Sequence, residues 1–223
     1  ILIFRRRIKR KDRPHGRCER VRDIPQMLKL GFLASHAGSN LQAVVAACRA
    51  GTLVAEPRAA VSNNSRSGAL AKARAEGIAA YHISEKTHPG AVDAAIAAVL
   101  ARHGVEVVCL AGYTKRLGPA LFEAYAGRIL NIHPSLLPKY GGQGMYGLKV
   151  HEAVLAAGES ASGATIHLVE DSGYDQGRML AQEVVAVAVG DTPEALQTRV
   201  LAVEHRLYAA TLARIAQGEI ALS

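Results

Sequence analysis

Short apolar runs rich in Val, Leu and Ile alternate with Ala-rich stretches of helical spacing from Leu28 onward, and Gly or Pro punctuates most of the junctions. This alternation limits the chain to few architectures. Strands separated by helices need crossover connections, and crossovers of one hand build a parallel sheet covered by helices on both faces. The spacing predicts strands over 28–34, 58–62, 79–83, 105–111 and the run ending in Asn131 and His133. Helices are expected from Leu41, with Val44, Val45 and Cys48 on one face and Gly51 as the stop, and over 67–76, 90–103, 119–125 and 148–157. Ser39 or Asn40 is the expected cap of the first. Two further strands, 164–169 and 179–189, lie close enough in sequence for a hairpin, so one edge of the sheet is expected to be mixed. A final helix opens at Thr192-Pro193 and runs to about Ala216. The expected fold is α/β, doubly wound and mostly parallel, in one domain over 27–223.

Charge separates this domain from what precedes it. Residues 1–26 hold ten Lys or Arg against three Asp or Glu, leaving 17 against 16 in the remainder, so nearly all of the formal charge of +8 belongs to the first segment. That segment has no sustained periodicity and is expected to be a disordered basic extension; a chain cut back to Met27 is expected to keep its stability and activity. The near-neutral body and the 4% of aromatic residues argue against nucleic acid as a partner. Cys18, Cys48 and Cys109 are widely spaced, which fits a reducing compartment and gives no disulfide framework or Cys-rich zinc site. No apolar run reaches the ~18 residues of a membrane span. A cytoplasmic protein is expected.

Two stretches carry chemistry. Ser35-His36-Ala37-Gly38-Ser39-Asn40 joins a strand to a helix, the geometry that offers free N–H groups and a helix dipole to a phosphate. It is neither G-x-G-x-x-G nor a Walker loop, and alone it could be only a capped helix start. In Asn131-Ile132-His133-Pro134, alternate side chains of a strand share a face, so Asn131 and His133 point the same way before Pro134 ends the ladder. They stand at the C-terminal end of a strand, where open α/β sheets bind ligands. An amide donor beside an imidazole suits a reaction that develops negative charge on a carbonyl oxygen. Four glycines in 141–147 make the following loop mobile or tightly turned. His151-Glu152 is not followed by His at 155, so no zinc motif forms, and His151 is read as a helix-face residue.

With these pieces in order, Met27 to Ala216 resembles the folate-dependent formyltransferases, and among them the glycinamide ribonucleotide formyltransferase family. The likeness rests on Gly38-Ser39-Asn40-Leu41-Gln42-Ala43, Leu110-Ala111-Gly112-Tyr113, Asn131-Ile132-His133-Pro134-Ser135-Leu136-Leu137-Pro138, Ser162-Gly163-Ala164-Thr165-Ile166-His167, Asp175-Gln176-Gly177 with Ala181-Gln182, and Glu204-His205. It implies a Rossmann-like formyltransferase fold and the transfer of a formyl group from 10-formyltetrahydrofolate, the co-substrate, to the amine of glycinamide ribonucleotide in purine synthesis, with no metal. By this resemblance Asn131 donates to the oxyanion, a protonated His133 stabilises it and moves protons, and Asp175 pairs with His133 and raises its pKa. Gly38, Ser39 and Asn40 cradle the ribonucleotide's phosphate, and Glu204 contacts the same substrate. Thr114, Lys115, Arg116 and Leu117, together with Asn131, border the folate, and His167 stands near the site. The resemblance implies a monomer or homodimer acting on small molecules.

The chain departs from the family pattern in three places. The loop before Asp175 is one residue longer, the segment 141–147 replaces a Pro-Gly-Leu, and an Arg that touches folate in some members has no match near Pro89. Alternatives within the superfamily are the methionyl-tRNA formyltransferase, expected to need an RNA-binding domain after residue 216, and formyltetrahydrofolate deformylase, expected to carry a regulatory domain that residues 1–26 cannot form. A nucleotide- or RNA-binding module is the non-enzymatic alternative.

Overall fold

The computed structural model describes residues 27–170 and 173–222. The basic extension expected over 1–26, and Asp171 and Ser172 of the acidic loop, lie outside the described residues. Among the described residues, seven strands, β1 (Leu28–Leu33), β2 (Ala55–Ser62), β3 (Ala79–His82), β4 (Val107–Leu110), β5 (Ile129–His133), β6 (Ala161–Leu168) and β7 (Met179–Ala186), form one sheet in the order β3-β2-β1-β4-β5-β6-β7. β1 to β5 are parallel, whereas β6 runs antiparallel to β5 and β7 antiparallel to β6. The chain winds outward from β1 to β3, then returns to lay β4 on the other side of β1. The strand order thus reverses between β1 and β4, which opens a crevice at their C-terminal ends.

Among the described residues, six helices accompany the sheet: α1 (Ser39–Arg49), α2 (Gly68–Ala75), α3 (Val92–Arg102), α4 (Pro119–Ala124), α5 (Leu148–Ala156) and α6 (Pro193–Ala216). Leu41, Val44 and Val45 of α1 join Tyr208, Leu212 and Ile215 of α6 against Leu30, Phe32, Leu130 and Ile132 on one face of the sheet. Ile96 and Leu100 of α3 and Leu121 of α4 cover Leu33, Val61, Val108 and Ile129 on the other. A third cluster seats Val154 of α5 and Leu196, Val200 and Val203 of α6 against Ala164 and Val185. Each fully buried Leu or Ile contributes about 1.5–3 kcal/mol relative to exposure, so the two faces are the main source of cohesion. The Tyr208 hydroxyl donates within 3.3 Å of Leu110 O and 3.1 Å of Leu130 O, tying α6 to the ends of β4 and β5.

The expected fold class holds, and several boundaries move. β2 begins at Ala55, because parallel pairing with β1 starts at Leu28↔Ala55 and draws in residues with no strand periodicity of their own. β6 begins at Ala161 because β7 pairs with it as far as Ala186. The cap of α1 is neither Ser39 nor Asn40 but Gly38, left-handed at φ 70, and no side chain caps the helix. A Cβ on Gly38 would stand 2.6 Å from the Ala69 backbone of α2, so close helix packing and positive φ both demand glycine. Ser67 and Thr192 do cap α2 and α6, accepting from Leu70 N at 3.3 Å and Ala195 N at 3.2 Å. His151, read as a helix-face residue, lies on the buried face of α5, its Nδ1 without a hydrogen-bond partner. Among the described residues no helix is long and apolar enough to cross a membrane.

Candidate active site

β5 presents its alternate side chains as its periodicity requires: Leu130 and Ile132 enter the core, while Asn131 and His133 share the opposite face with Ile129. Antiparallel β6 sets His167 across from Asn131 and Thr165 across from His133. The loop entering β7 then delivers Asp175 between the two imidazoles. Oδ2 of Asp175 is 3.4 Å from His133 Nδ1, and Oδ1 is 3.4 Å from His167 Nε2. Two backbone features aim this carboxylate. Asp175 itself has φ 57, an uncommon conformation for a non-glycine residue and one that costs energy. A Cβ on Gly177 would lie 1.9 Å from Leu168 O, so only glycine lets the loop pass there.

The hydrogen bonds decide the protons. Nε2 of His133 lies 2.8 Å from the Tyr140 carbonyl, which can only accept, so Nε2 carries a hydrogen and Nδ1 is the nitrogen that titrates. Tyr140 turns its carbonyl inward through φ 57. Burial, at 3% exposure, pushes the His133 pKa down; the Asp175 charge and the Tyr140 carbonyl push it up but do not overcome burial. The expected effect of Asp175 is therefore present, but the expected net rise is not. A buried imidazolium loses more hydration than one carboxylate at 3.4 Å returns. Asp175 shows the opposite balance. Burial raises its pKa, yet the neighbouring His167 and His133 imidazoles and the Gly142 N–H, 2.9 Å from Oδ2, together hold it below the usual carboxylate range.

His167 donates from Nδ1 to Leu168 O at 2.8 Å, which leaves Nε2 to accept from Asn131 Nδ2 at 3.1 Å. Asn131 Nδ2 also donates to Asp175 Oδ1, at 3.3 Å. Thr165 braces the segment after β5: its hydroxyl donates to Ser135 O at 2.7 Å and accepts from Leu137 N at 3.1 Å and Gln182 Nε2 at 2.8 Å. Tyr140, Thr165 and Gln182 support the site but were given no role from sequence. Their contributions depend on a carbonyl direction and a cross-strand register, which residue type does not reveal.

A second group gathers at the N-terminus of α1. Asn40 Nδ2 donates to Glu204 Oε2 of α6 at 2.7 Å, and Asn40 Oδ1 is buried with no partner. Burial pushes the Glu204 carboxyl up to about 7, although the bond from Asn40 opposes this. Gly38, Ser39 and Asn40 thus stand with Glu204, as the resemblance implies, although Ser39 and Asn40 form the helix's first turn rather than a loop.

Thr114, Lys115 and Arg116 are exposed and Leu117 is buried in the segment between β4 and α4. Lys115, Arg116 and Leu117 line a cleft of about 840 Å³ whose wall also includes Arg66, Lys86 and His82. Both acidic residues of that wall accept from backbone N–H groups: Asp93 from Gly118 N at 2.7 Å and Leu121 N at 3.1 Å, and Glu85 Oε2 from Gly90 N at 3.1 Å. Asn131, His133 and Asp175 do not line this cleft. Among the described residues no group of three or more His, Cys, Asp or Glu is arranged to hold a metal ion.

Comparison with known proteins places the chain in a family. The formyl transferase family matches residues 28–212. A chloroplastic phosphoribosylglycinamide formyltransferase of Arabidopsis thaliana is 41% identical over 199 residues, covering 88% of this chain and 68% of its own. The phosphoribosylglycinamide formyltransferase of Escherichia coli (strain K12) is 35% identical over 195 residues, covering 86% and 89%. Among solved structures, glycinamide ribonucleotide transformylase 1 from Symbiobacterium toebii superposes with a TM-score of 0.82 at 37% identity, covering 88% of this chain and 91% of that one. With the family matched across both ends of the sheet and all the motifs between, the chain belongs to the formyl transferase family.

Proposed function

We propose that this protein transfers the formyl group of 10-formyltetrahydrofolate to the amine of glycinamide ribonucleotide, a step of purine synthesis. The observation that carries the reading is the cluster of Asn131, His133, His167 and Asp175 on one face of the sheet's C-terminal edge. The amine attacks the formyl carbon, and the carbonyl oxygen becomes an oxyanion. Asn131 meets that charge by giving up its long bond to Asp175 Oδ1. The attacking nitrogen must lose a proton and N10 of the folate must gain one as the C–N10 bond breaks. His133 takes the proton at Nδ1, where the imidazolium gains Asp175 as a partner, and returns it to the leaving nitrogen.

The ribonucleotide is held at α1. Its phosphate meets the N–H groups and dipole of the first turn, and its sugar hydroxyls satisfy the orphaned Asn40 Oδ1 and Glu204. The folate lies along Thr114 to Leu117, and the basic wall of Arg66, Lys86 and Lys115 suits its outer carboxylates. These cations stand in for the Arg absent near Pro89. We read the enzyme as cytoplasmic, a monomer or homodimer, with a dispensable basic extension over 1–26.

One assay decides the reaction: the purified protein is mixed with both substrates, and folate product is followed with and without the ribonucleotide. Turnover only with the ribonucleotide is expected. Turnover without it would identify a deformylase, and none in either case would refute the reading.

A further inference from the structure

Ser35 follows β1 and is 2% exposed. A serine hydroxyl has one hydrogen to give and two lone pairs to receive with, and here all three are engaged. Ser35 Oγ donates to Asn63 Oδ1 at 2.6 Å and accepts from Thr114 N at 2.9 Å and from Thr114 Oγ1 at 3.1 Å. Its own backbone N–H donates to Gly112 O at 3.0 Å. One residue therefore joins three loops at the C-terminal edge of the sheet: its own, which leads to Gly38 and α1; the loop after β2; and the loop after β4.

The loop after β4 has few other backbone hydrogen bonds, although Leu117 at its far end is buried in the core. Of the backbone N–H groups from Tyr113 to Leu117, only that of Thr114 has a protein partner among the described residues. The next backbone N–H with a partner is that of Gly118, held by Asp93. Between these pins, Lys115 and Arg116 are exposed. The place of this segment relative to the N-terminus of α1 is thus set at Ser35, on the crevice where the strand order reverses.

We propose that Ser35 is a positioning residue that fixes the distance between the Thr114–Leu117 segment and the Gly38–Asn40 turn, and so sets the affinity for the co-substrate bound along the former. This rests on the reading of those two segments given under the proposed function. It touches neither substrate in that reading and acts through Thr114.

The test is Ser35→Ala, read in two ways. In steady-state kinetics, KM for 10-formyltetrahydrofolate should rise about tenfold, as expected for losing a buried hydrogen-bonded anchor, while KM for glycinamide ribonucleotide stays within about twofold. In amide hydrogen exchange, Thr114 should lose protection while Ala111, bonded to Leu33 O at 2.8 Å, keeps it. If the Ala variant does not fold, Ser35→Cys keeps the volume with a much weaker hydrogen-bonding group and carries the same test. A lowered Tm with both KM values unchanged, an equal rise in both, or an unaltered Thr114 exchange rate would overturn the proposal. If the wild type does not transfer formyl between these substrates, the functional reading fails by itself, and the exchange measurement still decides whether Ser35 holds the segment.

Discussion

Asp175 stands with Oδ2 3.4 Å from Nδ1 of His133, and it reaches that position in a left-handed backbone conformation that few Asp residues adopt. The cost of that conformation is offset by two further bonds to Asp175, from Gly142 N in the glycine-rich loop and from Asn131 Nδ2 on β5. The pair is therefore expected to act as one preformed unit rather than as two independent groups.

Mutational losses at this unit should not add. Asn131→Ala should lower kcat by about 100- to 1000-fold with a smaller effect on KM, since the charge it meets exists only in the transition state. His133→Ala should cost at least as much. The double variant of His133 and Asp175, with folding verified by circular dichroism, should lose far less activation free energy than the two single losses combined. Full additivity would mean that the two residues do not cooperate.

Replacing Asp175 by Asn should lower the pKa of His133 further. The carboxylate favours the imidazolium, and burial, which opposes it, is unchanged by this substitution. Titration of the His133 ring by NMR should show the midpoint moving to lower pH in Asp175→Asn. The acidic limb of the pH–rate profile, where the neutral imidazole that must take the proton is lost, should move the same way. An unmoved midpoint would show that the two groups are not coupled in solution.

Glu204 should make the fold less stable as pH rises. Its folded pKa of about 7 lies above the 4.5 of an ordinary Glu, so the folded state binds the proton more tightly. The stability linked to this proton is present in full below about 4.5 and is lost as pH climbs through about 7, by at most ~3 kcal/mol. Glu204→Gln keeps an acceptor for Asn40 and removes the charge. Denaturant unfolding at pH 5 and pH 8 should show a smaller difference in the variant than in the wild type, with the variant's KM for the ribonucleotide raised. Equal pH dependence in both proteins would mean that Glu204 is solvated.

The phosphate position is best tested at Ser39. Gly38 is unsuitable, because any side chain there meets Ala69 and strains φ, mixing stability with binding. Ser39→Asp adds a carboxylate to the first turn of α1, which favours the helix through its dipole but repels a phosphate. KM for the ribonucleotide should rise at least about tenfold with Tm unchanged or higher, and folate KM should hold. An unchanged ribonucleotide KM would place the phosphate elsewhere.

Sequence alone determined the α/β alternation, the mixed edge, and the face shared by Asn131 and His133. These follow from local periodicity: a side chain's face is set two residues at a time in a strand, and three or four at a time in a helix. The motifs also marked Asp175, with His133 as its expected partner, and Glu204, with no expected partner in the protein. Tertiary structure decided what they do. Pairing with β1 drew β2 back to Ala55, and packing against α2 made Gly38 the cap of α1. The antiparallel register of β6 placed His167 beside Asn131, and the inward carbonyl of Tyr140 chose the titrating nitrogen of His133. Burial then reversed the expected rise in its pKa. The physical reason is common to all of these. Desolvation, register and carbonyl direction depend on segments far apart in the chain, and they acquire values only once the two faces of the sheet have closed.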